Sequence, residues 1–98
     1  MHLAAYHFAG DPDALKAGYD RLTATFPPGE IELNVCVLTA EGITVLDACP
    51  TQADFEAFST GPQFAEALAA AGLPAPRVEA MGSVAAFAGT AFAATTNA

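Results

Sequence analysis

Two residues that can move protons stand inside hydrophobic segments of the chain. His7 lies in the apolar run of residues 2–8, where a histidine can act as a general base on an acidic phenol or an α-proton. Asp47 interrupts the apolar run of residues 43–49. A carboxylate in such a run is either paired or has a raised pKa, since an unpaired buried charge is unfavourable. The alternatives are a core or rim histidine and a strand-end aspartate that faces water.

Asparagine and cysteine side chains surround Asp47 if the two β-rich segments that flank residues 41–42 form a hairpin. A turn at these residues places Cys36 opposite Asp47 and Asn34 opposite Cys49, all on one face. Such a polar cluster on an apolar sheet would line a pocket, although a one-residue change in the turn would split it. The two cysteines are not opposite each other, so we predict free thiols, with a structural role favoured over a catalytic one.

Aromatic side chains supply the walls of the expected pocket. Tyr19 lies on the inner face of the first predicted helix and can hydrogen-bond a ligand, with core packing as the alternative. Tyr6 alternates away from His7 and is expected in a subunit interface. The apolar candidates for the pocket wall, which also suit a core, are Phe55, Phe58, Phe64 and Leu68.

Strand and helix signals place these residues on regular elements. Residues 2–8, 31–39 and 43–49 are rich in β-branched or aromatic residues and predict three strands. A helix is predicted after the first strand, capped by Asp11 and stopped by the Pro-Pro-Gly sequence at residues 27–29. Its inner face, at helical spacing, carries Leu15, Tyr19, Leu22 and Phe26.

A second, interrupted helix is predicted after the hairpin. Thr51 caps its first piece, and either residue of the Ser-Thr pair at 59–60 caps a second piece that ends at Gly72. Residues 77–87 predict a last, less regular strand. The Ala/Thr-rich residues 88–98 form a C-terminal tail that is either disordered or packed on a partner.

The order of elements, β-α-β-β-α-β, predicts an α+β fold with one ferredoxin-like domain at residues 1–87. Right-handed crossovers turn this order into a four-stranded antiparallel sheet with two helices on one face. The other face is also apolar, so it needs a cover, and a second copy of the chain is the simplest one. We therefore expect a homodimer whose two sheets form a dimeric α/β barrel.

Composition argues against several classes of partner. The chain has 98 residues, 53% of them hydrophobic, which is rich for one small domain and favours a buried interface. Its formal net charge is −8, and its only strongly basic residues, Lys16, Arg21 and Arg77, are far apart. Neither nucleic acid nor an anionic membrane is therefore expected as a partner. With no apolar stretch near the roughly 20 residues that span a bilayer and no recognisable signal peptide, we expect a soluble cytoplasmic protein.

The sequence lacks the common motifs for cofactor chemistry. The cysteine spacing fits neither a CxxC pair nor a zinc site, and His2 and His7 alternate to opposite faces of one strand. No glycine-rich phosphate loop precedes a helix, and no GxSxG elbow occurs. We therefore expect neither a metal nor another cofactor.

Residues 46–74, LDACPTQADFEAFSTGPQFAEALAAAGLP, resemble the strand-to-broken-helix segment of dimeric α/β barrel proteins. These include the antibiotic-biosynthesis monooxygenase-like group and small uncharacterised actinobacterial relatives. The matching features are Asp47, Thr51, Phe55, Phe58, the Ser/Thr-Gly-Pro break, Phe64 and Leu68. The sequence Gly10-Asp11-Pro12-Asp13, followed by Tyr19, also resembles the first helix of this superfamily, so the resemblance covers residues 1 to about 87.

The resemblance implies a small-molecule cavity between the sheet and the helices of each subunit. Several members act on aromatic polyketides or quinols without metal or flavin, and others degrade haem, isomerise lactones or dechlorinate. Haem-degrading members use an Asn, a Trp and a His, and the corresponding positions here are His7, Phe58 and Leu68. An aliphatic side chain thus replaces the axial ligand, which argues against haem. Cys49 stands where relatives often have a Trp.

The leading hypothesis is a cofactor-independent enzyme that acts on a hydrophobic, aromatic or polyketide-like small molecule. Its reaction would be that of a monooxygenase, a cyclase or an isomerase. His7 would accept the proton, Asp47 and Asn34 would orient the substrate, and phenylalanines would form the wall. The rival hypothesis is a non-catalytic dimeric module that binds a small ligand or has a structural role, and the scarcity of titratable residues favours it.

Overall fold

Seven regular elements follow one another in the residues that the computed structural model describes, which are 1–26 and 32–88. In chain order they are β1 (His2–Ala9), α1 (Pro12–Thr23), β2 (Leu33–Leu38), β3 (Gly42–Cys49), α2 (Gln52–Ser59), α3 (Pro62–Ala70) and β4 (Arg77–Ser83). The predicted helix stop at residues 27–29, the predicted strand start at residue 31 and residues 89–98 of the predicted tail lie outside the described residues.

The strands form a four-stranded antiparallel sheet in the order β2-β3-β1-β4, with the helices packed on one face. This is a ferredoxin-like βαββαβ arrangement, so the predicted fold class is confirmed. The second helical region is broken at the predicted place into α2 and α3. It breaks because Gly61 is extended ahead of Pro62, and a proline disfavours helical geometry in the residue before it.

Side-chain caps begin α1 and α2 as predicted. Asp11 and Thr51 each accept a hydrogen bond from the backbone amide three residues later, at 2.9 and 3.0 Å. The prediction that Ser59 or Thr60 caps α3 is wrong, because Gly61 is its N-cap and makes no side-chain bond there. The proline that follows has no N–H group, so the first turn of α3 has one donor fewer to satisfy.

The hydrophobic core lies between the helices and one face of the sheet. β1 contributes its even-numbered side chains, and the β1–β3 register puts Ile43 and Val45 on the same face. The buried apolar cluster consists of Ala4, Tyr6, Phe8, Leu15, Leu22, Ile43, Val45, Phe55, Phe64, Leu68, Ala71 and Leu73. Removal of this apolar surface from water is the main force that holds the helices on the sheet.

Two elements are shorter than the sequence predicts. β4 ends at Ser83 rather than at residue 87, and its register against β1 shifts at a bulge. α1 ends at Thr23, so Phe26 packs against the core from the turn that follows the helix. Both differences lie at element ends, where local sequence signals are weakest.

The second face of the sheet is also apolar, and no helix of the described residues covers it. Strand alternation and the cross-strand registers place on it Leu3, Ala5, His7, Val35, Val37, Thr44, Leu46, Arg77 and Glu79. We call this set the open face. Val37 is 42% exposed there, so apolar side chains of the open face contact solvent in the single chain.

The close contact of Gly42 with β1 gives a test of this topology. Gly42 has a φ of 157°, and a Cβ atom there would lie 1.9 Å from the Phe8 carbonyl oxygen. We expect Gly42→Ala to lower the free energy of unfolding by about 2 kcal/mol or more, because the two strands must separate to admit the methyl group. Urea denaturation measures the loss.

Gly82→Ala is the matched control for this substitution. Gly82 also has a positive φ, 142°, but nothing lies within 4 Å of a Cβ atom built on it. It therefore reports the backbone penalty without the steric one. Equal losses in the two variants would contradict the close packing of β1 against the start of β3.

Candidate functional site

A cavity of about 250 Å³ lies between the core-facing side of the sheet and the helices. Apolar and aromatic side chains form most of its wall, among them Phe8, Leu22, Phe26, Val45, Phe58 and Phe64. The polar residues that line it are Tyr19, Thr23, Asn34, Asp47, Cys49 and Asp54, besides the hydroxyl-bearing ring of Tyr6. A mostly apolar cavity with a few polar groups is typical of sites for small organic molecules.

A chain of hydrogen bonds joins four polar residues of the cavity. The Tyr19 hydroxyl donates to Asn34 Oδ1, and Asn34 Nδ2 donates to Asp47 Oδ1 at 2.9 Å. The Cys49 thiol donates to Asp47 Oδ2 at 3.7 Å. Because a carboxylate only accepts, Asn34 must turn its amide nitrogen to Asp47 and its carbonyl to Tyr19. These hydrogen bonds therefore fix the orientation of the four side chains.

The hairpin positions this chain of hydrogen bonds through a register that differs from the predicted one. Asn34 lies directly opposite Asp47, and Cys36 lies opposite Val45. The hairpin turns one residue earlier than predicted, which shifts the pairing by two residues and keeps every side chain on its face. The prediction that a one-residue change in the turn splits the cluster is therefore wrong, whereas the shared face is confirmed.

Burial changes the acid–base properties of these groups. It raises the pKa of the Asp47 carboxyl above its ordinary value, while the bonds from Asn34 and Cys49 oppose the rise. Burial, assisted by nearby negative charge, raises the pKa of the Cys49 thiol to about 11 and that of the Tyr19 phenol to about 12. At neutral pH the thiol and the phenol keep their protons, so both can donate hydrogen bonds.

Tyr6 lines the same cavity. Its side chain is only 3% exposed, and its hydroxyl has no hydrogen-bond partner among the described residues. The ring makes edge contacts with Phe55 and Phe64, at centroid distances of 6.4 and 5.5 Å. Leaving a buried hydroxyl unsatisfied costs about 1–3 kcal/mol, so such a group calls for an explanation.

The expectation that Tyr6 faces a subunit interface is wrong. The helices pack on the face of β1 that carries Tyr6 and Phe8, because these large side chains bury more apolar surface than the alternate set does. Sequence reasoning therefore missed Tyr6 as a cavity residue. The size of the two aromatic side chains on even-numbered positions is the signal that could have identified this face.

His7 lies on the open face, on the side of the sheet away from the cavity. Its Nδ1 atom is 3.0 Å from the Thr44 hydroxyl, and its Nε2 atom is 2.9 Å from the Glu79 carboxylate. The expectation that His7 faces the pocket as its proton acceptor is therefore wrong. The cause is the same as for Tyr6, since neighbouring residues of a strand point to opposite faces.

The cavity brings together most of the other residues expected at the site. Tyr19, Asn34, Asp47, Cys49, Phe58 and Phe64 all line it. Cys36, Phe55 and Leu68 belong to the packing beside it instead. Phe55 stacks on the His2 ring at a centroid distance of 4.9 Å, which places His2 on the opposite face from His7, as predicted. Both cysteines are free, also as predicted.

Two features are absent from residues 1–26 and 32–88. No group of three or more His, Cys, Asp and Glu residues there is arranged to hold a metal ion. None of the helices described is both long enough and apolar enough to cross a membrane.

Fold and cavity together define a small α+β protein with a ferredoxin-like sheet and a mostly apolar cavity under its helices. No protein-family model, curated protein or solved structure matches the chain. Membership of the dimeric α/β barrel superfamily therefore stays a prediction from the residues of the chain.

The raised pKa of Asp47 predicts a pH-dependent effect of Asp47→Asn on stability. A carboxyl whose folded pKa exceeds its unfolded value contributes most stability below the unfolded pKa, and the contribution is lost as pH rises through the folded pKa. The amide variant carries no such charge. We therefore expect the variant to gain stability relative to the wild type between pH 4 and pH 7, measured by urea denaturation across this range.

The control is Asp13→Asn, which removes one negative charge from an exposed position in the first turn of α1. It reports the effect of net charge without burial. A difference between Asp47→Asn and the wild type that stays constant from pH 4 to pH 7, or falls, would contradict the burial effect.

Proposed function

We propose that the chain binds a hydrophobic, ring-bearing small molecule in the cavity and that Asp47 removes a proton from it. The observation that carries this proposal is a half-buried carboxylate, oriented by Asn34 and Cys49, in a mostly apolar cavity. A carboxylate in such surroundings is a stronger base than one in water. The proposal assigns to Asp47 the role that the sequence suggested for His7.

The size of the cavity supports a ligand of one or two rings. A protein cavity of roughly 150 Å³ accommodates benzene, whereas this one has about 250 Å³. Phe58 and Phe64, whose ring centroids are 4.5 Å apart, give flat apolar surface for such a ring. The preference for an aromatic or polyketide-like molecule follows from these walls and from the resemblance of the sequence.

Proton removal is a step that isomerisation, cyclisation and cofactor-free oxygenation of such molecules share. Asp47 suits it because burial raises the pKa of its carboxyl, although the bonds from Asn34 and Cys49 oppose that rise. The Tyr19 and Cys49 protons stay in place at neutral pH. The resulting class is a cofactor-independent isomerase, cyclase or monooxygenase. General-base catalysis by one positioned side chain contributes about 10²–10⁴-fold to a rate.

A non-catalytic binding module is the second candidate. It is favoured by the hydrogen bonds that already occupy both Asp47 oxygens, since a carboxylate with partners can serve to orient a ligand or stabilise the cavity. Such a module would bind the same class of molecule and leave its protons in place. The following experiment separates the two candidates.

We expect the protein to accelerate hydrogen–deuterium exchange at the α-carbons of 2-tetralone in D₂O, followed by NMR. This bicyclic ketone has acidic α-protons and two fused rings, which match the cavity. Asp47→Asn should slow the exchange by about 100-fold or more with probe binding retained, because the amide cannot accept the proton. Asp13→Asn is the control for net charge.

If 2-tetralone binds but its deuterium exchange is not accelerated, the result supports the binding module and contradicts the catalytic proposal. Absence of binding by 2-tetralone and by its hydrocarbon analogue tetralin would sink the proposed small-molecule site itself. Accelerated exchange that survives Asp47→Asn would contradict the role of Asp47.

We also propose that two copies of the chain meet through the open face. On this face Val37 is exposed and Leu3, Val35 and Leu46 are half-buried, so a second sheet would bury their remaining apolar surface. The register places Arg77 and Glu79 on the open face, so its formal charges cancel although the chain as a whole carries −8. Copies of an acidic protein can therefore meet there without bringing like charges together.

Neighbouring residues of β2 give a matched test of this dimer. Val37 lies on the open face and Leu38 on the core-facing side at the sheet edge, and they are 42% and 58% exposed. We expect Val37→Glu to raise the dimer dissociation constant about tenfold or more, because it introduces like charges at the contact. Leu38→Glu should leave the constant unchanged in sedimentation equilibrium. A monomeric wild type, or equal effects of the two variants, would refute this dimer.

A further inference from the structure

The Tyr6 hydroxyl is buried and has no hydrogen-bond partner among the described residues. The Tyr6 side chain is only 3% exposed, and Tyr6 lines the cavity. The ring makes edge contacts with Phe55 and Phe64. A buried donor without a partner is a group that a ligand can satisfy.

Tyr6 and Asp47 are close enough to act on one small molecule. Tyr6 pairs with Val45 across β1 and β3, and Asp47 is two residues further along β3 on the same face. Such diagonal neighbours have backbones about 7–8 Å apart. Burial is the largest cause of the raised pKa of Tyr6, and electrostatic interactions with Asp47 and Cys49 add to it, which agrees with this proximity.

The other donors of the hydrogen-bonded chain are already committed. The Tyr19 hydroxyl donates to Asn34, while the Asn34 amide and the Cys49 thiol donate to Asp47. Tyr6 keeps its proton at neutral pH, since the ordinary pKa of a tyrosine is about 10 and burial raises it further. A ligand that satisfies Tyr6 must therefore bring a hydrogen-bond acceptor.

We infer that Tyr6 donates a hydrogen bond to an oxygen of the ligand, so that the ligand is a cyclic ketone or a phenol rather than a hydrocarbon. This inference rests on the proposed function and narrows its substrate class. Within a ketone, the oxygen would lie at Tyr6 and an adjacent C–H group at Asp47. Tyr6 thus binds the carbonyl oxygen, and Asp47 faces the adjacent C–H group.

This arrangement suits the removal of an α-proton. Asp47 takes the proton, the C–H electron pair forms the carbon–carbon double bond of an enolate, and the carbonyl π pair moves onto oxygen. The Tyr6 hydrogen bond to that oxygen strengthens as negative charge develops there. Return of a proton or deuteron to carbon restores the ketone, so no oxidant or reductant is needed.

The test compares 2-tetralone with tetralin, which has the same rings without the oxygen, on the wild type and on Tyr6→Phe. The wild type should bind 2-tetralone more tightly than tetralin. Tyr6→Phe should weaken 2-tetralone binding about tenfold and leave tetralin binding unchanged, because it removes one hydrogen bond and no apolar surface. The affinities for both probes are measured by NMR titration. Tyr6→Phe should also slow deuterium exchange at the α-carbons of 2-tetralone.

The outcomes distinguish a failure of the role of Tyr6 from a failure of the proposed site. If the wild type binds both probes equally and Tyr6→Phe changes neither affinity, the role of Tyr6 is overturned while the proposed site stands. Loss of both probes from Tyr6→Phe would also overturn it, since that result indicates a packing role. If neither probe binds the wild type, the proposed function fails and this inference fails with it.

Discussion

The antiparallel pairing of β1 with β3 is the constraint on which the cavity depends. These two strands form the middle of the sheet, and their register places Tyr6 opposite Val45 and Ala4 opposite Asp47. A slip by one residue would turn every one of these side chains to the other face of the sheet. The close approach of Gly42 to the Phe8 carbonyl helps to set this register where β3 begins.

Once the register is set, the polar groups of the cavity can satisfy one another only in part. Asp47 gains bonds from Asn34 and Cys49, yet burial still raises the pKa of its carboxyl, so the charged form is disfavoured there. Tyr6 is buried without a partner among the described residues. Neither the desolvated carboxyl nor the unpartnered hydroxyl stabilises the fold. Destabilising groups of this kind concentrate at binding and catalytic sites.

The sheet carries apolar side chains on both faces, but the helices of the described chain cover only one of them. The core-facing side includes the large aromatic residues of β1, whereas the open face has the smaller Leu3 and Ala5 beside His7. A domain of this size has too little interior to bury both faces by itself. The polar contacts of His7 with Thr44 and Glu79 give the open face a few directional groups among its apolar ones.

The sequence by itself determined the order of elements, the caps at Asp11 and Thr51, the break before Pro62 and the shared face of Asn34, Asp47 and Cys49. These features depend on local backbone preferences and on strand alternation, which act over a few residues. Strand alternation also predicted correctly that His7 and Tyr6 lie on opposite faces of the sheet.

Only the tertiary structure decided which of the two faces of β1 lies under the helices. Both alternate sets are apolar enough for a core, so alternation alone could not choose between them, although the two aromatic side chains at even-numbered positions favour that set. The choice follows from the total apolar surface that the helices bury, to which Phe55, Phe64 and Leu68 contribute from distant parts of the chain. That non-local balance moved His7 out of the expected pocket and put Tyr6 into it.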